Sequence, residues 1–212
     1  MQDFRPYTTI KEPCEVLQVI QKSKFYGRLF PVETPEQAQE IIDACKKKYW
    51  DATHNCSAYV IGKMGELSRC SDDGEPQGTA GVPMLEALKK SGLTNVLAIS
   101  TRYFGGILLG AGGLVRAYTG SVAEAVRQAH KIRYQPMDSY RIQIPFRLWG
   151  KVESQLLSKG FLIRGVEYTD TVSVLLYTEP GEGERLQTLL AEVSAGMVYP
   201  VFLQQEYVVL DV

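Results

Sequence analysis

The feature that most constrains this chain is a pair of glycine-rich loops, each of which leads into a predicted helix. The first loop covers residues 71–81 (SDDGEPQGTAG), and the second covers residues 105–113 (GGILLGAGG). Backbone N–H groups lack partners at the start of a helix, and glycine lets the chain approach a ligand closely. The two loops therefore predict a binding site, although they do not specify what it binds.

Length and composition limit the classes of protein to consider. The 212 residues, 45% of them hydrophobic, are enough for one large domain or two small ones. We find neither a signal-peptide pattern nor a run of ~20 apolar residues, so we expect a cytoplasmic protein with no membrane partner. The cysteines form no C-x-x-C pair and are interpreted as buried thiols rather than as disulfides or zinc ligands.

The distribution of charge bears on the partners. A net charge of −1 argues against an overall electrostatic attraction to nucleic acid, and no sequence-specific recognition of DNA is expected. The balance is +2 over residues 1–131 and −3 over residues 132–212. If a polyanion binds, we expect it to contact the first part of the chain locally.

Hydrophobic periodicity predicts an α+β chain with two domains. In the first part we predict strands and helices in alternation: strands over residues 14–21, 24–32, 54–61 and 96–103, and helices over residues 35–48, 82–90 and 114–129. After residue 133 the order becomes β-α-β-β-α-β, with helices that stop at Gly160 and Gly196. That order is the split-βαβ signature of a ferredoxin-like fold. We therefore predict one domain over residues 1–132 and a second over residues 133–212.

The second loop has the composition of an anion site. It lies between a predicted buried strand, which carries an arginine at its end, and a helix with an arginine in its first turn. The residues concerned are Arg102, Gly105, Gly106, Gly110, Gly112, Gly113 and Arg116. Backbone amides, a positive helix end and guanidinium groups together could hold phosphate or carboxylate. The alternative is that these glycines only allow close packing of the strand against the helix.

The first loop carries three carboxylates within four residues, at Asp72, Asp73 and Glu75. They could hold Mg²⁺ through waters, act as an acid and base pair, or shape the loop by accepting hydrogen bonds from its own amides. With the arginines they could instead form a buried ion-pair network. Gly74, Gly78 and Thr79 would shape the same loop. Mg²⁺ is the only metal or cofactor that the pattern brings into consideration, and we predict no resident cofactor.

Candidate catalytic residues are few. His54 opens the strand that leads towards the first loop, and with Asp72 and Asp73 it is the candidate for acid–base chemistry. The simpler interpretation is a structural histidine. Cys56, two residues further on, would share a strand face with His54, which permits a cysteine nucleophile without requiring one. The basic run over residues 46–48 could contact phosphate, or it could simply complement the negative end of its helix.

Four segments together resemble the YigZ/IMPACT family: HNCSAY at 54–59, SDDGEPQGTAGVP at 71–83, RYFGG at 102–106 and LGAGGLVRAY at 109–118. The resemblance extends over essentially the whole chain. It implies an N-terminal domain similar to the second domain of ribosomal protein S-five, and a ferredoxin-like C-terminal domain similar to the fifth domain of elongation factor G. Leu108 stands where many members have a lysine.

The resemblance also implies a function. Eukaryotic members regulate translation and act on a stress-response pathway that controls an initiation-factor kinase, through an additional RWD domain that we do not expect in this protein. We therefore predict a translation-linked regulatory protein, non-catalytic although catalysis is left open, that binds RNA, the ribosome or a translation-associated protein. Two alternatives remain: an enzyme acting on a phosphorylated small molecule or nucleotide, and a protein-interaction module that uses the C-terminal sheet.

Overall fold

The computed structural model describes residues 4–212. Its elements, in chain order, are β1 (Tyr7–Ile10), β2 (Cys14–Ile20), β3 (Ser23–Pro31), α1 (Pro35–Lys48), β4 (His54–Ile61), β5 (Leu67–Ser71), α2 (Gly81–Ser91), β6 (Val96–Tyr103), α3 (Gly110–Gln128), β7 (Lys131–Ile144), α4 (Phe146–Ser158), β8 (Leu162–Tyr168), β9 (Val172–Thr178), α5 (Gly183–Ser194) and β10 (Pro200–Asp211). The chain is therefore α+β, as predicted. No helix within the described residues is long and apolar enough to cross a membrane.

The chain divides into two compact units. One comprises Pro6–Arg133 with Leu210–Val212, and the other comprises Tyr134–Val209 with residues 4 and 5. Each unit has a hydrophobic core of its own. The two-domain α+β architecture is thus confirmed, whereas the assignment of residues 1–132 and 133–212 to the two domains stays a prediction.

The N-terminal unit is built on a five-stranded sheet with the order β2-β3-β6-β4-β5. The pairs β2–β3, β3–β6, β4–β6 and β4–β5 are all antiparallel. Successive side chains of a strand point to opposite faces, and both faces of this sheet are packed by helices. Helices α2 and α3 supply buried residues to one face, including Met84 and Tyr118, and α1 supplies Ile42 and Cys45 to the other.

Strand β6 lies at the centre of this sheet, as its nearly continuous apolar sequence predicts. Val96 and Ala98 join the core beneath α2 and α3, while Leu97 and Ile99 join the core beneath α1. This central position matters for the candidate site, because the last residues of β6 lead directly into the second glycine-rich loop.

The structure differs from the predicted elements in three places. Helix α3 begins at Gly110 rather than at residue 114, so that Gly112 and Gly113 lie inside its first turn. Glycine disfavours a helix but does not prevent one when the rest of the helix is packed against a sheet. Strands β1 and β5 were not predicted, and four of the five residues of β5 are exposed, so it lacks the alternation that marks a half-buried strand.

The C-terminal unit contains the ferredoxin-like arrangement. Its strands lie in the order β10-β7-β9-β8. Its elements follow one another in the β-α-β-β-α-β order that is typical of this fold. The predicted hairpin of residues 161–178 is present as β8 and β9, which pair antiparallel. Helices α4 and α5 complete the core with apolar residues at helical spacing, namely Val152, Leu156, Leu186, Leu189 and Leu190.

Candidate functional site

Asp72 of the first loop fastens that loop to the start of helix α2. Its carboxylate accepts hydrogen bonds from the backbone N–H groups of Gly78 (2.8 Å), Ala80 (3.0 Å) and Gly81 (2.7 Å). These donors would otherwise be unsatisfied at the helix start. Partial burial raises the pKa of Asp72, but the three N–H bonds together outweigh it and leave the pKa below its ordinary value.

Asp73 connects the first loop to strand β4 and to helix α1. One carboxylate oxygen accepts the backbone N–H of Asn55 at 2.6 Å, and the other lies 2.5 Å from Nζ of Lys46. The backbone of Asp73 is left-handed, with φ of +47°, a conformation that aspartate tolerates better than most residues. Lys46, the first residue of the predicted basic run, is thus engaged by this loop.

Glu75 is the buried member of the three carboxylates. Its Oε1 accepts a bond from Nη1 of Arg102 at 2.7 Å and from the hydroxyl of Tyr118 at 2.7 Å. The side chains of Glu75 and Arg102 are only 2% and 7% exposed. A buried carboxylate is tolerated when a cation and further donors satisfy it, and here one loop, one strand and one helix each supply a group.

His54 lies beside this network and is held by the first loop. Its Nδ1 donates to the backbone carbonyl of Asp73 at 2.8 Å, and its Nε2 lies 3.8 Å from Oε2 of Glu75. Gly74 packs next to the ring, because a Cβ built there would lie 3.3 Å from the imidazole Nδ1. The structure therefore brings His54, Asp73 and Glu75 together.

Cys56 and Tyr118 share this interior but are held in their protonated forms. Burial is the main cause that raises the pKa of the Cys56 thiol to about 12, and the nearby carboxylates of Glu75, Asp73 and Asp72 add to it. The thiol donates to the backbone carbonyl of Asp72 at 2.9 Å. Burial likewise raises the pKa of Tyr118, and its contact with Glu75 adds to the shift. Because the thiolate is the nucleophile, Cys56 is poorly placed for covalent catalysis.

Thr79 and Gly78, which were also predicted to shape the first loop, stabilise its conformation. Thr79 is buried, and its hydroxyl donates to the carbonyl of Pro76 at 2.6 Å. Gly78 has a φ of +76°, where a side chain would be strained. Among residues 4–212 no group of three or more histidine, cysteine or acidic side chains is arranged to hold a metal ion. The three loop carboxylates point to three different sets of partners.

The second loop is open to solvent over much of its length. Gly106, Ile107 and Leu108 are exposed, Leu108 by 85%. Its beginning is fixed, because Phe104 and Gly105 donate their backbone N–H groups to the hydroxyls of Thr53 and Ser23. In the described part of the chain, the backbone N–H groups of residues 106–109 donate no hydrogen bond. This segment leads into the N-terminus of α3, whose glycines 110 and 112 are also exposed.

The two predicted arginines have different environments. Arg102 is buried against Glu75, and its guanidinium carbon lies 5.5 Å from the ring centres of both Phe25 and Phe104. Arg116 is exposed on α3 and has no hydrogen bond or ion pair with any residue that the structure describes. The charge of Arg102 is already neutralised by Glu75, whereas the charge of Arg116 remains available to an anion. Both assignments as anion ligands stay predictions.

Tyr118 is the member of the network that the sequence analysis does not single out as a site residue. A tyrosine on the buried stripe of a helix needs a partner for its hydroxyl, and this requirement was the available signal. The packing of α3 also explains Gly27, because a Cβ there would lie 2.5 Å from the carbonyl oxygen of Ser121.

These features define a two-domain α+β protein whose N-terminal unit carries a buried carboxylate network beside an open glycine-rich loop. Residues 21–126 match the Impact N-terminal domain, and residues 142–197 match a domain of unknown function, DUF1949. The chain therefore belongs to the IMPACT family, as the motif resemblance implied.

Individual relatives cover nearly the whole chain. The IMPACT family member YvyE of Bacillus subtilis is 44% identical over 90% of this chain and 88% of its own length. The IMPACT family member YigZ of Escherichia coli is 33% identical over 91% of this chain and 96% of its own. A solved structure described as a hypothetical protein is 31% identical, with a TM-score of 0.59, over 95% of this chain and 98% of that one.

Proposed function

We propose that this protein is a cytoplasmic, translation-linked regulator that binds RNA or the ribosome through its second glycine-rich loop. Membership of the IMPACT family supports the link to translation, since the resemblance associates its eukaryotic members with translational control. The proposed anion ligands are the backbone N–H groups of residues 106–109, the N-terminus of α3 and the side chain of Arg116. The partner could also be a ribosome-associated protein that presents the same kind of acidic or phosphate group.

The observation that carries this proposal is the contrast between the engaged carboxylates and the open loop. Asp72, Asp73 and Glu75 each satisfy a backbone or a buried cation, so they contribute to the shape of the site rather than to proton transfer. The second loop offers unpaired N–H groups, a helix N-terminus and an exposed guanidinium. Those three features favour reversible binding of an anion.

Co-sedimentation with ribosomes and with RNA tests the proposal at low and at moderate salt. We expect binding that falls with salt, because phosphate contacts release counterions, and that falls again in Arg116→Ala. The matched control is Arg127→Ala, which removes the same charge from the other end of α3. No binding at low salt, or equal binding by Arg116→Ala and Arg127→Ala, would contradict the proposal. Arg102→Ala is unsuitable, because it would leave Glu75 buried and unpaired.

One observation favours a second candidate, an enzyme acting on a phosphorylated small molecule or nucleotide. His54 is fixed through Nδ1, and its Nε2 lies in a partly exposed position near Glu75. Such an orientation suits a general base. A thermal-shift screen of nucleotides and sugar phosphates, with and without Mg²⁺, tests it, since a ligand at ~100 Kd stabilises the fold by about 2.7 kcal/mol. A screen without any stabilising compound would remove this candidate.

A further inference from the structure

A cleft lies on the face of the N-terminal sheet that α1 only partly covers. It has a volume of about 450 Å³, and its walls include Tyr26, Tyr49, Tyr103, Phe104, Lys22 and Lys24. We call it the tyrosine cleft. Its volume falls within the range of sites that hold one small ligand, but its lining is aromatic and cationic rather than aliphatic. The residues of the second loop proposed above as anion ligands do not include those of this cleft.

The register of the sheet explains why these side chains converge. Lys24 of β3 pairs with Tyr103 of β6, and Tyr26 pairs with Thr101. Directly paired residues of antiparallel strands project to the same face. The intervening Phe25 projects to the other face, where its ring packs edge-on against Tyr118 at 5.3 Å. The aromatic and basic residues therefore lie on the α1 face of the sheet, opposite the core that α2 and α3 form.

Arg28 holds the rings in place. Its guanidinium carbon lies 4.0 Å from the ring centre of Tyr49 and 5.5 Å from that of Tyr26. The ring of Tyr26 meets that of Tyr103 at 6.0 Å with an interplanar angle of 82°. Arg28 itself is buried and is paired with Glu15 at 2.5 Å, so its charge is already balanced. We therefore regard Arg28 as a positioning residue for the tyrosines.

The lining contains three cations (Lys22, Lys24 and Arg28) and two carboxylates (Glu15 and Asp51), so its formal charge is +1. Asp51, the other carboxylate of the lining, accepts the hydroxyl of Tyr103 at 3.1 Å. Lys22 and Lys24 are exposed and have no ion pair with any residue in the described range 4–212. Two free ammonium groups beside partly exposed aromatic rings complement a ligand that combines phosphate groups with flat bases.

We propose that the tyrosine cleft binds unpaired nucleotides of an RNA strand, with bases against the tyrosines and phosphates near Lys22 and Lys24. This inference rests on the proposed function and assigns to it a second contact surface on the same unit. Aromatic rings on an open sheet face are a general means of holding unpaired bases, because every base has a face on which an aromatic ring can stack. A base-paired strand buries those faces and is expected to bind less well.

The experiment measures the anisotropy of a fluorescent single-stranded oligouridylate, titrated with the full chain and compared with a labelled RNA duplex. We expect Tyr103→Leu to weaken binding of the single strand roughly tenfold, and Tyr103→Phe to retain most of it, because phenylalanine keeps the ring and loses only the bond to Asp51. Lys24→Gln should lower the slope of log affinity against log salt by about 0.7. Lys90→Gln, an equal charge change at the end of α2, should not.

The outcomes separate the inference from the function on which it rests. Equal binding by Tyr103→Leu and the unmodified chain, with both folded by circular dichroism, would overturn the tyrosine cleft while leaving RNA binding in place. Failure of the unmodified chain to bind any RNA would overturn both. Tighter binding of the duplex than of the single strand would also overturn the cleft, since paired bases cannot stack on its rings.

Discussion

The carboxylates of the first loop accept hydrogen bonds from other groups of the same chain, whereas the second loop leaves most of its backbone exposed to solvent. Both have the glycine content of a ligand-binding loop, and both lead into a helix. The first reaches the start of α2 with Asp72 bonded to the N–H groups of Ala80 and Gly81. The second reaches the start of α3 with no side-chain cap on that helix.

Glycine and acidic residues can therefore shape a loop as readily as they can form a site. A loop that satisfies its own donors is rigid and offers little to a ligand, while a loop with unsatisfied donors can gain hydrogen bonds when a ligand arrives. The first loop therefore supports the architecture around Glu75, and the second is the one left available for binding.

The largest effect is expected from Glu75→Ala. Removing the carboxylate leaves the guanidinium of Arg102 buried without its partner, which costs about 3–5 kcal/mol in the free energy of unfolding. Urea denaturation measures it. The control is Glu86→Ala, an exposed glutamate on α2, whose loss should change the stability by less than about 0.5 kcal/mol. A cost below about 1 kcal/mol for Glu75→Ala would mean that the network does not support the first loop.

Gly105→Ala should have the next largest effect, although it lies in the more open loop. A Cβ at this position would lie 2.0 Å from the carbonyl carbon of Lys22, which belongs to the backbone and cannot rotate away. Overpacking of this kind costs about 1–3 kcal/mol, and we expect a lower unfolding midpoint by the same denaturation assay. A variant as stable as the unmodified chain would show that this junction between the second loop and the β2–β3 turn is not closely packed.

Much of the fold could be predicted from the sequence, and the exceptions have physical causes. Central strands such as β6 are apolar on both faces and leave a clear pattern. Gln21 and Lys22 form the turn between β2 and β3 with φ of +46° and +64°. The turn contains no glycine or asparagine, which are the residues that usually indicate such a turn in a sequence. That turn fixes the pairing of β2 with β3, whereas Lys24 lies opposite Tyr103 through the long-range pairing of β3 with β6. The tyrosine cleft therefore could not be predicted from local patterns.

The sequence identified the three carboxylates and Arg102 as candidates, but it gave neither their contacts nor the part of Tyr118 in the network. Three carboxylates in four positions are equivalent in sequence, and their partners come from β4, β6, α1 and α3. The contact between Glu75 and Arg102 depends on the folded sheet. The pairing of β4 with β6 places Arg102 beside His54, where the first loop brings Glu75 to it. The ion-pair alternative weighed for this loop describes Glu75, whereas the alternative of bonding to its own amides describes Asp72.

Asp72→Asn gives a smaller effect with a defined pH dependence. Loss of the charged acceptor for three N–H groups should cost about 1 kcal/mol at neutral pH. Because the folded pKa of Asp72 is lowered, its contribution is present above the ordinary value of 3.8 and is lost as pH falls through the lower folded value. The difference in unfolding free energy between the two proteins should therefore shrink below about pH 4. A difference that stays constant across this range would contradict the role of the charge.

The smallest effect, and one of opposite sign, is expected from Gly112→Ala. Gly112 lies in the first turn of α3, it is exposed, and a Cβ built there meets no atom within 4 Å. Alanine favours a helix and restricts the unfolded chain, so the variant should be more stable by up to about 1 kcal/mol. Thermal unfolding of Gly112→Ala beside Gly105→Ala checks this directly. If both variants lose stability, the second loop is as closely packed as the first. That result would contradict the contrast between the two loops, on which the proposed function depends.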